Sequence, residues 1–227
     1  MNKKLEKLFI LLLFFIGCFF LLLNPIKDYL ISSYSPKVHF QEHNDNKSFN
    51  LNKVKSISLK QIVDARIHSN DINVVGKIII PDIHLNLPIG LGVDNRTLAL
   101  TAGTMKKNQE MGHGNYSLAG HHMIDKNVLF SPVYNHAKTG INIYITDTDK
   151  FYVYKIYQRK IISPYDVKVI NNTKKPIITL ITCNSSGDKR LLVRGKLIKI
   201  YNIRNTPYNI IKYYNSKSNN YNVFKGY

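Results

Sequence analysis

Three side chains that could together break and remake an amide bond lie in the second half of the chain: His121, Cys183 and Arg190. Cys183 ends an apolar, β-rich run at 179–183, Thr-Leu-Ile-Thr-Cys. A thiolate can attack a carbonyl carbon, an imidazole can move the proton, and a guanidinium can stabilise the anionic intermediate. These residue types therefore predict acyl transfer at a cysteine.

Cys183 is one of only two cysteines in the sequence. The other, Cys18, lies inside an apolar N-terminal run, where the role of a small hydrophobic residue in lipid fits it best. A residue fixed in a membrane is a poor disulfide partner for Cys183. A single thiol in an exported region risks oxidation without structural benefit, so a functional Cys183 is favoured over a merely buried one.

The charge and the N-terminal run predict a membrane protein. There are 32 Lys and Arg against 14 Asp and Glu, a formal charge of +18, which suits an anionic lipid, wall polymer or nucleic acid. Residues 8–23 are uncharged and near the lower limit for a bilayer span, and no small-x-small cleavage pattern follows them. Lysines at positions 3, 4 and 7 predict a cytoplasmic N-terminus and an exported remainder. This argues against a nucleic-acid partner and favours a single-pass protein of the plasma membrane.

Strand patterns dominate from Val74 onward and must position the reactive residues. The predicted strands are 74–80, 85–89, 116–119, 141–145, 151–157, 176–182 and 191–200, and the predicted short helices are 95–101 and 128–137, the second interrupted by Pro132. Many short strands with brief helices between them predict a closed or nearly closed β-barrel. One barrel rim could then hold the three reactive residues, with Gly120 allowing a tight backbone before His121.

Five segments are predicted along the chain. They are a cytoplasmic N-terminus (1–7), a transmembrane anchor (8–25), an extracellular stalk or appendage (26–73), a catalytic barrel (74–200) and a basic tail rich in Tyr, Asn and Lys (201–227). The tail lacks a strong period, so no structure is predicted for it. Residues 57–67 have the apolar spacing of a short helix. We hypothesise that the polar appendage 31–73 folds against the active-site groove and regulates access to it.

The order of these motifs resembles that of the sortases, membrane-anchored cysteine transpeptidases of Gram-positive bacteria. The resemblance covers about 74–200 and rests on Leu-Ala-Gly-His at 118–121, on Thr-Leu-Ile-Thr-Cys at 179–183, and on Arg190 with the Leu-Leu-Val that follows. Ala-Gly-Thr at 102–104 and Gly-x-Gly-Asn-Tyr at 112–116 are similar to class A members. Class A is therefore the preferred subfamily.

The resemblance implies an all-β fold with short helices: an eight-stranded sortase-type barrel preceded by an N-terminal transmembrane helix. It implies cleavage of a Leu-Pro-x-Thr-Gly sorting signal between Thr and Gly through a thioacyl-enzyme. The acyl group would pass to an amine of a cell-wall precursor of the lipid II type. The partners expected are surface proteins that carry the signal, this precursor and the plasma membrane.

By the same resemblance Cys183 is the nucleophile, His121 the acid/base, and Arg190 stabilises the oxyanion or holds the substrate backbone. His122 and Arg194 are the less favoured alternatives for the last two roles. The resemblance also implies three positions that bind the substrate: Ala119, Ile181 and Thr182.

No cofactor is expected. Some class A members bind calcium through rim carboxylates, whereas residues 99–110 offer only Glu110, so no essential metal is expected either. The Asp-Pro-aromatic lid of pilin-polymerising sortases is missing from 31–73, and the segment between about 161 and 177 is short for the extra class B helix.

Three alternatives remain open. One is a membrane-tethered cationic protein that binds cell-wall polymer without catalysis, which explains the charge and the anchor but not the convergence of the motifs. Another is a sortase of a different class with a different sorting signal. The third is another cysteine enzyme. A papain-like protease has its Cys before its His, and an L,D-transpeptidase has a Ser-His-Gly-Cys run that this sequence lacks.

Overall fold

The computed structural model describes residues 3–32, 48–49, 57–184 and 186–220. The helices are α1 (Lys3–Ser32), α2 (Leu59–Ile67), α3 (Asn95–Leu100), α4 (Ser131–His136) and α5 (Tyr208–Tyr214). The strands are β1 (Val74–Ile80), β2 (Leu85–Gly90), β3 (Ala102–Thr104), β4 (Asn115–Ala119), β5 (Asn142–Thr146), β6 (Lys150–Ile162), β7 (Ile177–Cys183) and β8 (Arg190–Asn202). The predicted strand positions are confirmed, although β6 and β8 extend further than expected.

The eight strands close into a barrel in the order β1-β2-β3-β4-β7-β8-β6-β5. The pairs β2/β3 and β4/β7 are parallel, and the remaining neighbours are antiparallel. The eight-stranded barrel with short helices is thus confirmed. Strand β7 lies between β4 and β8, so the strand that ends in Cys183 is flanked by the strand that leads to His121 and by the strand that starts at Arg190.

Side chains of β7 alternate between the barrel interior and an outer cluster. Ile178 and Leu180 lie in the main core with Tyr154 and Val193. Ile181 points the other way and packs in a smaller cluster with Val93, Leu98 and Met105. Because both faces of β7 are covered, nearly the whole strand is buried, as its apolar sequence requires.

The helix predicted within 57–67 is confirmed as α2. Ser58 caps it in a reciprocal capping box with Gln61. Helix α2 packs on α3, where Arg96 binds Asp64 at 3.0 Å. The described part of the appendage therefore lies against α3, and residues 33–47 and 50–56, on which the gating hypothesis also depends, fall outside the described residues.

Helix α1 contains a 20-residue window, Lys4–Leu23, that is long and apolar enough to cross a bilayer and contains no buried residue. Its C-terminal end meets the domain: Ile31 is fully buried, and Arg66 of α2 donates to the Leu30 carbonyl. The apolar helix expected before the barrel is therefore present.

Two local predictions were wrong. Pro132 lies in the first turn of α4 instead of interrupting it, because the missing N–H of proline costs nothing there. The tail does not lack structure, since 208–214 form α5 and Ile210 is buried beside Ile79 and Phe151. Tertiary burial, and not a helical repeat in the sequence, selects this helix.

Candidate active site

The hairpin of β7 and β8 places Cys183 directly opposite Arg190. Opposed residues of an antiparallel pair project to the same side with Cβ atoms about 5 Å apart. The connecting turn is closed by the Asn184 N–H, which donates to the Lys189 carbonyl at 3.1 Å. Arg190 donates from Nη1 to the carbonyls of Gly187 and Lys189, at 2.8 and 3.1 Å. Thiol and guanidinium are therefore held side by side at one end of the barrel.

The parallel pairing of β4 with β7 brings His121 to the same end. Ala119 lies opposite Ile181, and the Gly120 N–H continues the ladder by donating to the Ile181 carbonyl at 3.1 Å. A Cβ at Gly120 would lie 2.4 Å from the ring of Phe130. Glycine is thus required here for the close approach of Phe130, and not for the backbone turn that the sequence suggested.

The three candidate residues line one cleft of about 450 Å³. The ends of β4 and β7, together with Leu98 and Met105, form its floor, and the loop between β6 and β7 forms one wall. Ala119 and Ile181 present apolar surface to it. Thr182 borders it as well, but its hydroxyl is buried without a hydrogen-bond partner among the described residues.

Burial shifts both reactive groups toward their neutral forms. Desolvation raises the pKa of the Cys183 thiol, an effect that Arg190 partly opposes. His121 as a whole residue is 7% exposed, and burial lowers its pKa to about 4. No described residue forms a hydrogen bond with this imidazole. A neutral thiol beside a neutral imidazole is therefore the resting state near pH 7.

Comparison with known proteins gives a family for this arrangement. The sortase domain model matches residues 78–198. Sortase A of Streptococcus agalactiae is 37% identical over 208 residues, which cover 85% of this chain and 84% of that protein. The chain belongs to the sortase family.

Two further matches agree with a class A-like sortase. Sortase A of Listeria monocytogenes is 38% identical over 154 residues, covering 67% of this chain and 69% of that protein. The crystal structure of Listeria monocytogenes sortase A superposes with a TM-score of 0.60 at 41% identity, covering 63% of this chain and 99% of that one. Sortases are cysteine transpeptidases, so this chain is an enzyme of that type.

His122, the alternative to His121, has a different setting in this sortase. Its ring stacks on Tyr134 of α4 with 4.2 Å between centroids, and its backbone forms a β-bridge with Leu129. Burial lowers its pKa, while a hydrogen bond with the backbone of Asn184 acts in the opposite direction. His122 is not among the residues that line the cleft. The structure thus places it beside the site, outside the residues that line the cleft.

Arg194, the alternative to Arg190, is engaged elsewhere. It lies opposite Thr179 and donates from Nη2 to the Val169 carbonyl at 2.8 Å. Val169 belongs to the short 3-10 turn Val167–Ile170 in the β6–β7 loop. Arg194 therefore supports the cleft wall, whereas Arg190 faces the thiol.

Two further residues that support this wall were not predicted from the sequence. Asn115 donates from Nδ2 to the carbonyls of Val169 and Asn171, at 3.0 and 3.1 Å. The Lys106 ammonium donates to the Asn115 carbonyl at 2.7 Å and to Oδ1 of Asn172 at 2.5 Å. Asn115 is part of the Gly-x-Gly-Asn-Tyr motif, which was the available signal. The partners of Lys106 are set by tertiary contacts alone.

Proposed function

We propose that this sortase cleaves a Leu-Pro-x-Thr-Gly sorting signal between Thr and Gly and transfers the new acyl group to an amine of a cell-wall precursor. The observation that carries the proposal is the convergence of Cys183, Arg190 and His121 on one cleft. Sortases act on surface proteins and cell-wall precursors. The sorting signal and the lipid II-type acceptor follow from the likeness to sortase A relatives.

In the first half-reaction the Cys183 thiolate attacks the Thr carbonyl carbon, and the oxyanion forms on the carbonyl oxygen. The His121 imidazolium then protonates the Gly nitrogen as the C–N bond breaks, which leaves a thioacyl-enzyme. In the second half-reaction neutral His121 takes a proton from the incoming amine, and a new amide forms as the thiolate departs. Atoms and protons balance over the cycle, so no cofactor is needed.

Arg190 is the residue we assign to the oxyanion. A guanidinium keeps its charge at any working pH and offers several fixed N–H donors. Two backbone carbonyls already orient it at the end of the hairpin. Preorganised donors of this kind stabilise developing charge without reorganisation in the transition state.

The thiolate and imidazolium pair is a minor species at neutral pH. With ordinary pKa values it would make up less than about 1% of the enzyme. Burial moves both groups further toward neutrality. Slow turnover follows, because only this fraction can attack and then protonate the leaving amine.

The apolar floor of the cleft is suited to the Leu-Pro part of the signal. Ala119 and Ile181 lie beside the catalytic residues, and Leu98 and Met105 extend the same surface. We assign Ala119 and Ile181 to substrate binding. Thr182 contributes through its backbone, because its side chain is buried.

The location we propose is the plasma membrane, with α1 as a single-pass anchor. Lysines before the span favour a cytoplasmic N-terminus, and this puts the catalytic domain on the side where surface proteins meet the wall. The corresponding segments are 1–7 inside, 8–25 in the bilayer, 26–73 as stalk and 74–200 as the catalytic barrel. Of the basic tail predicted at 201–227, the described residues 201–220 extend that domain through α5.

The test is mass spectrometry of the full chain in detergent, incubated with a Leu-Pro-x-Thr-Gly peptide in the presence and absence of triglycine. We expect an adduct on the peptide that carries Cys183, and a new amide only when the amine is present. Hydrolysis without transfer would indicate a protease. An intact peptide, with conversion of a different signal from a peptide library, would assign another sortase specificity.

A further inference from the structure

The end of the described chain is buried although it is polar. Ser218 and Asn219 are 3% exposed, and Asn220 is fully buried. Burial of an amide side chain costs free energy unless its donors and acceptors are paired. Both amide groups of Asn219 and Asn220 are paired, so the structure holds them in defined places.

The partners of these amides include the loop that follows the catalytic histidine. Oδ1 of Asn220 accepts from the Leu129 N–H at 2.9 Å, and its Nδ2 donates to the Leu100 carbonyl at 3.3 Å. Nδ2 of Asn219 donates to the Asn127 carbonyl at 2.6 Å and to the Leu129 carbonyl at 3.4 Å. Two neighbouring side chains thus hold both polar backbone groups of Leu129.

Leu129 requires such support because its φ of 50° lies in the left-handed region. This conformation costs free energy for a residue with a branched side chain and persists only where the surroundings enforce it. The next residue connects the loop to the site. The Phe130 N–H donates to the His121 carbonyl at 2.9 Å, and the Phe130 ring packs on Gly120.

The His121 imidazole has no hydrogen-bond partner among the described residues. Its position therefore depends on its backbone, which Phe130 holds through the hydrogen bond to the His121 carbonyl and through the packing of its ring on Gly120. A displacement of about 1 Å can cost about 100-fold in rate where proton transfer needs exact geometry. A loose loop at Leu129 would release Phe130 and with it the imidazole.

We propose that Asn219 and Asn220 are positioning residues for His121: they hold Leu129 in its left-handed conformation, which keeps Phe130 bonded to the histidine backbone. The inference rests on the proposed role of His121 in transpeptidation. It assigns a function to the tail that its composition did not suggest.

The experiment compares the full chain in detergent with Asn220→Leu and Asn219→Ala, using Asn215→Ala as the matched control on an exposed asparagine of the same tail. Two readouts are combined. Hydrogen exchange is followed at the Phe130 amide, and kcat and KM are measured for transfer of the Leu-Pro-x-Thr-Gly peptide to triglycine.

For Asn220→Leu we expect exchange at the Phe130 amide to rise at least tenfold and kcat to fall about tenfold, with KM within twofold. The amides of Leu180 and Val193, in the β7–β8 hairpin, should remain protected from exchange. A general loss of stability would instead increase exchange at these two amides as well. Asn219→Ala should show a smaller change of the same kind, and it tests the proposal if Asn220→Leu fails to fold. Asn215→Ala should match the wild type.

The proposal is overturned if Phe130 stays protected and kcat is unchanged in both variants, since the tail would then only seal the barrel. It is equally overturned if Leu180 and Val193 lose protection together with Phe130. If the wild type does not transfer the peptide, the proposed function fails, while exchange at Phe130 still decides whether the tail holds the histidine loop.

Discussion

The cleft and the tail contact differ in the hydrogen bonding of the side chains to which we assign a function. We define the tail contact as residues 208–220 packed against β1, β2 and the 127–129 loop. In the cleft, the His121 imidazole and the Thr182 hydroxyl have no hydrogen-bond partner among the described residues. In the tail contact, Asn219 and Asn220 use both ends of their amides, although the neighbouring Ser218 hydroxyl has no partner among the described residues.

This difference separates groups kept for chemistry from groups kept for structure. The His121 imidazole is left free of hydrogen bonds from the described residues, which suits a group that we propose exchanges protons with a substrate. Paired amides fix a chain segment without adding reactivity. Substitutions in the cleft should therefore cost activity, and those in the tail contact should cost stability, except where the tail reaches Leu129.

The largest effect is expected for Cys183→Ala. Removal of the proposed nucleophile should lower peptide transfer at least about 1,000-fold and leave the thermal midpoint nearly unchanged. Mass spectrometry should find no acyl adduct. Cys18→Ala, the matched control in α1, should retain full activity, and an adduct that survives Cys183→Ala would contradict the assignment.

His121→Gln and His122→Gln should differ sharply. Loss of His121, the proposed acid/base, should lower kcat by about 100- to 10,000-fold, because the leaving amine must then depart unprotonated. Substitution of His122, which stacks on Tyr134, should lower kcat less than about threefold. Steady-state kinetics of both variants test this difference. Equal losses of kcat would mean that the two histidines share the acid/base role.

The two arginines of β8 provide the next test. Arg190→Gln should lower kcat about 100-fold through loss of oxyanion stabilisation. Arg194→Gln removes the support of the Val169 carbonyl, so it should act mainly on KM, by about threefold. A kcat loss that is larger for Arg194→Gln would reverse the assignment.

Acidification should destabilise the wild type through His121. Its pKa is about 4 in the folded protein and about 6.5 in the unfolded chain, so the unfolded chain binds the proton first. Stability is then lost as the pH falls from 6.5 to 4, by about 3 kcal/mol at most. Urea unfolding at pH 7 and pH 4.5 should show a smaller loss for His121→Gln, and parallel losses would show that this histidine is not the cause.

The smallest effect is expected in the tail contact. Asn86→Ala removes the Nδ2 group, whose two N–H donors are shared among three acceptors: the Tyr213 and Ser216 carbonyls and the Ser216 hydroxyl. The free energy of unfolding should fall by about 2 kcal/mol, and the thermal midpoint by about 4–8 °C. Circular dichroism measures the shift, while kcat should change less than about threefold. A large kcat loss with an unchanged midpoint would remove the distinction between the two regions.

Most of the catalytic strands could be predicted because their signal is local. Alternating and β-branched runs located β1, β2, β5 and β7, and turn residues separated them. The order of the motifs also singled out Cys183, which the structure places in a cleft. Such features depend on neighbouring residues in the sequence, so they can be predicted without knowledge of the tertiary structure.

Other features depended on contacts between distant segments. The glycine at 120 was assigned to a backbone turn, whereas its reason is the ring of Phe130. Helix α5 was missed because its stability comes from burial of Ile210 against the barrel. The choice between Arg190 and Arg194 likewise needed the register of β7 against β8.

The sequence by itself determined the chemistry available to this protein: one thiol outside the apolar N-terminal run, a Gly-His pair, an arginine after the cysteine strand, and an apolar segment that suits a membrane. Only the tertiary structure decided which histidine and which arginine line the same cleft as that thiol. It also decided that the polar tail forms hydrogen bonds with the 127–129 loop. The physical reason is that residue types and periods are local properties. Pairing register, burial and the resulting pKa shifts arise when segments more than 60 residues apart, such as those of His121 and Cys183, pack together.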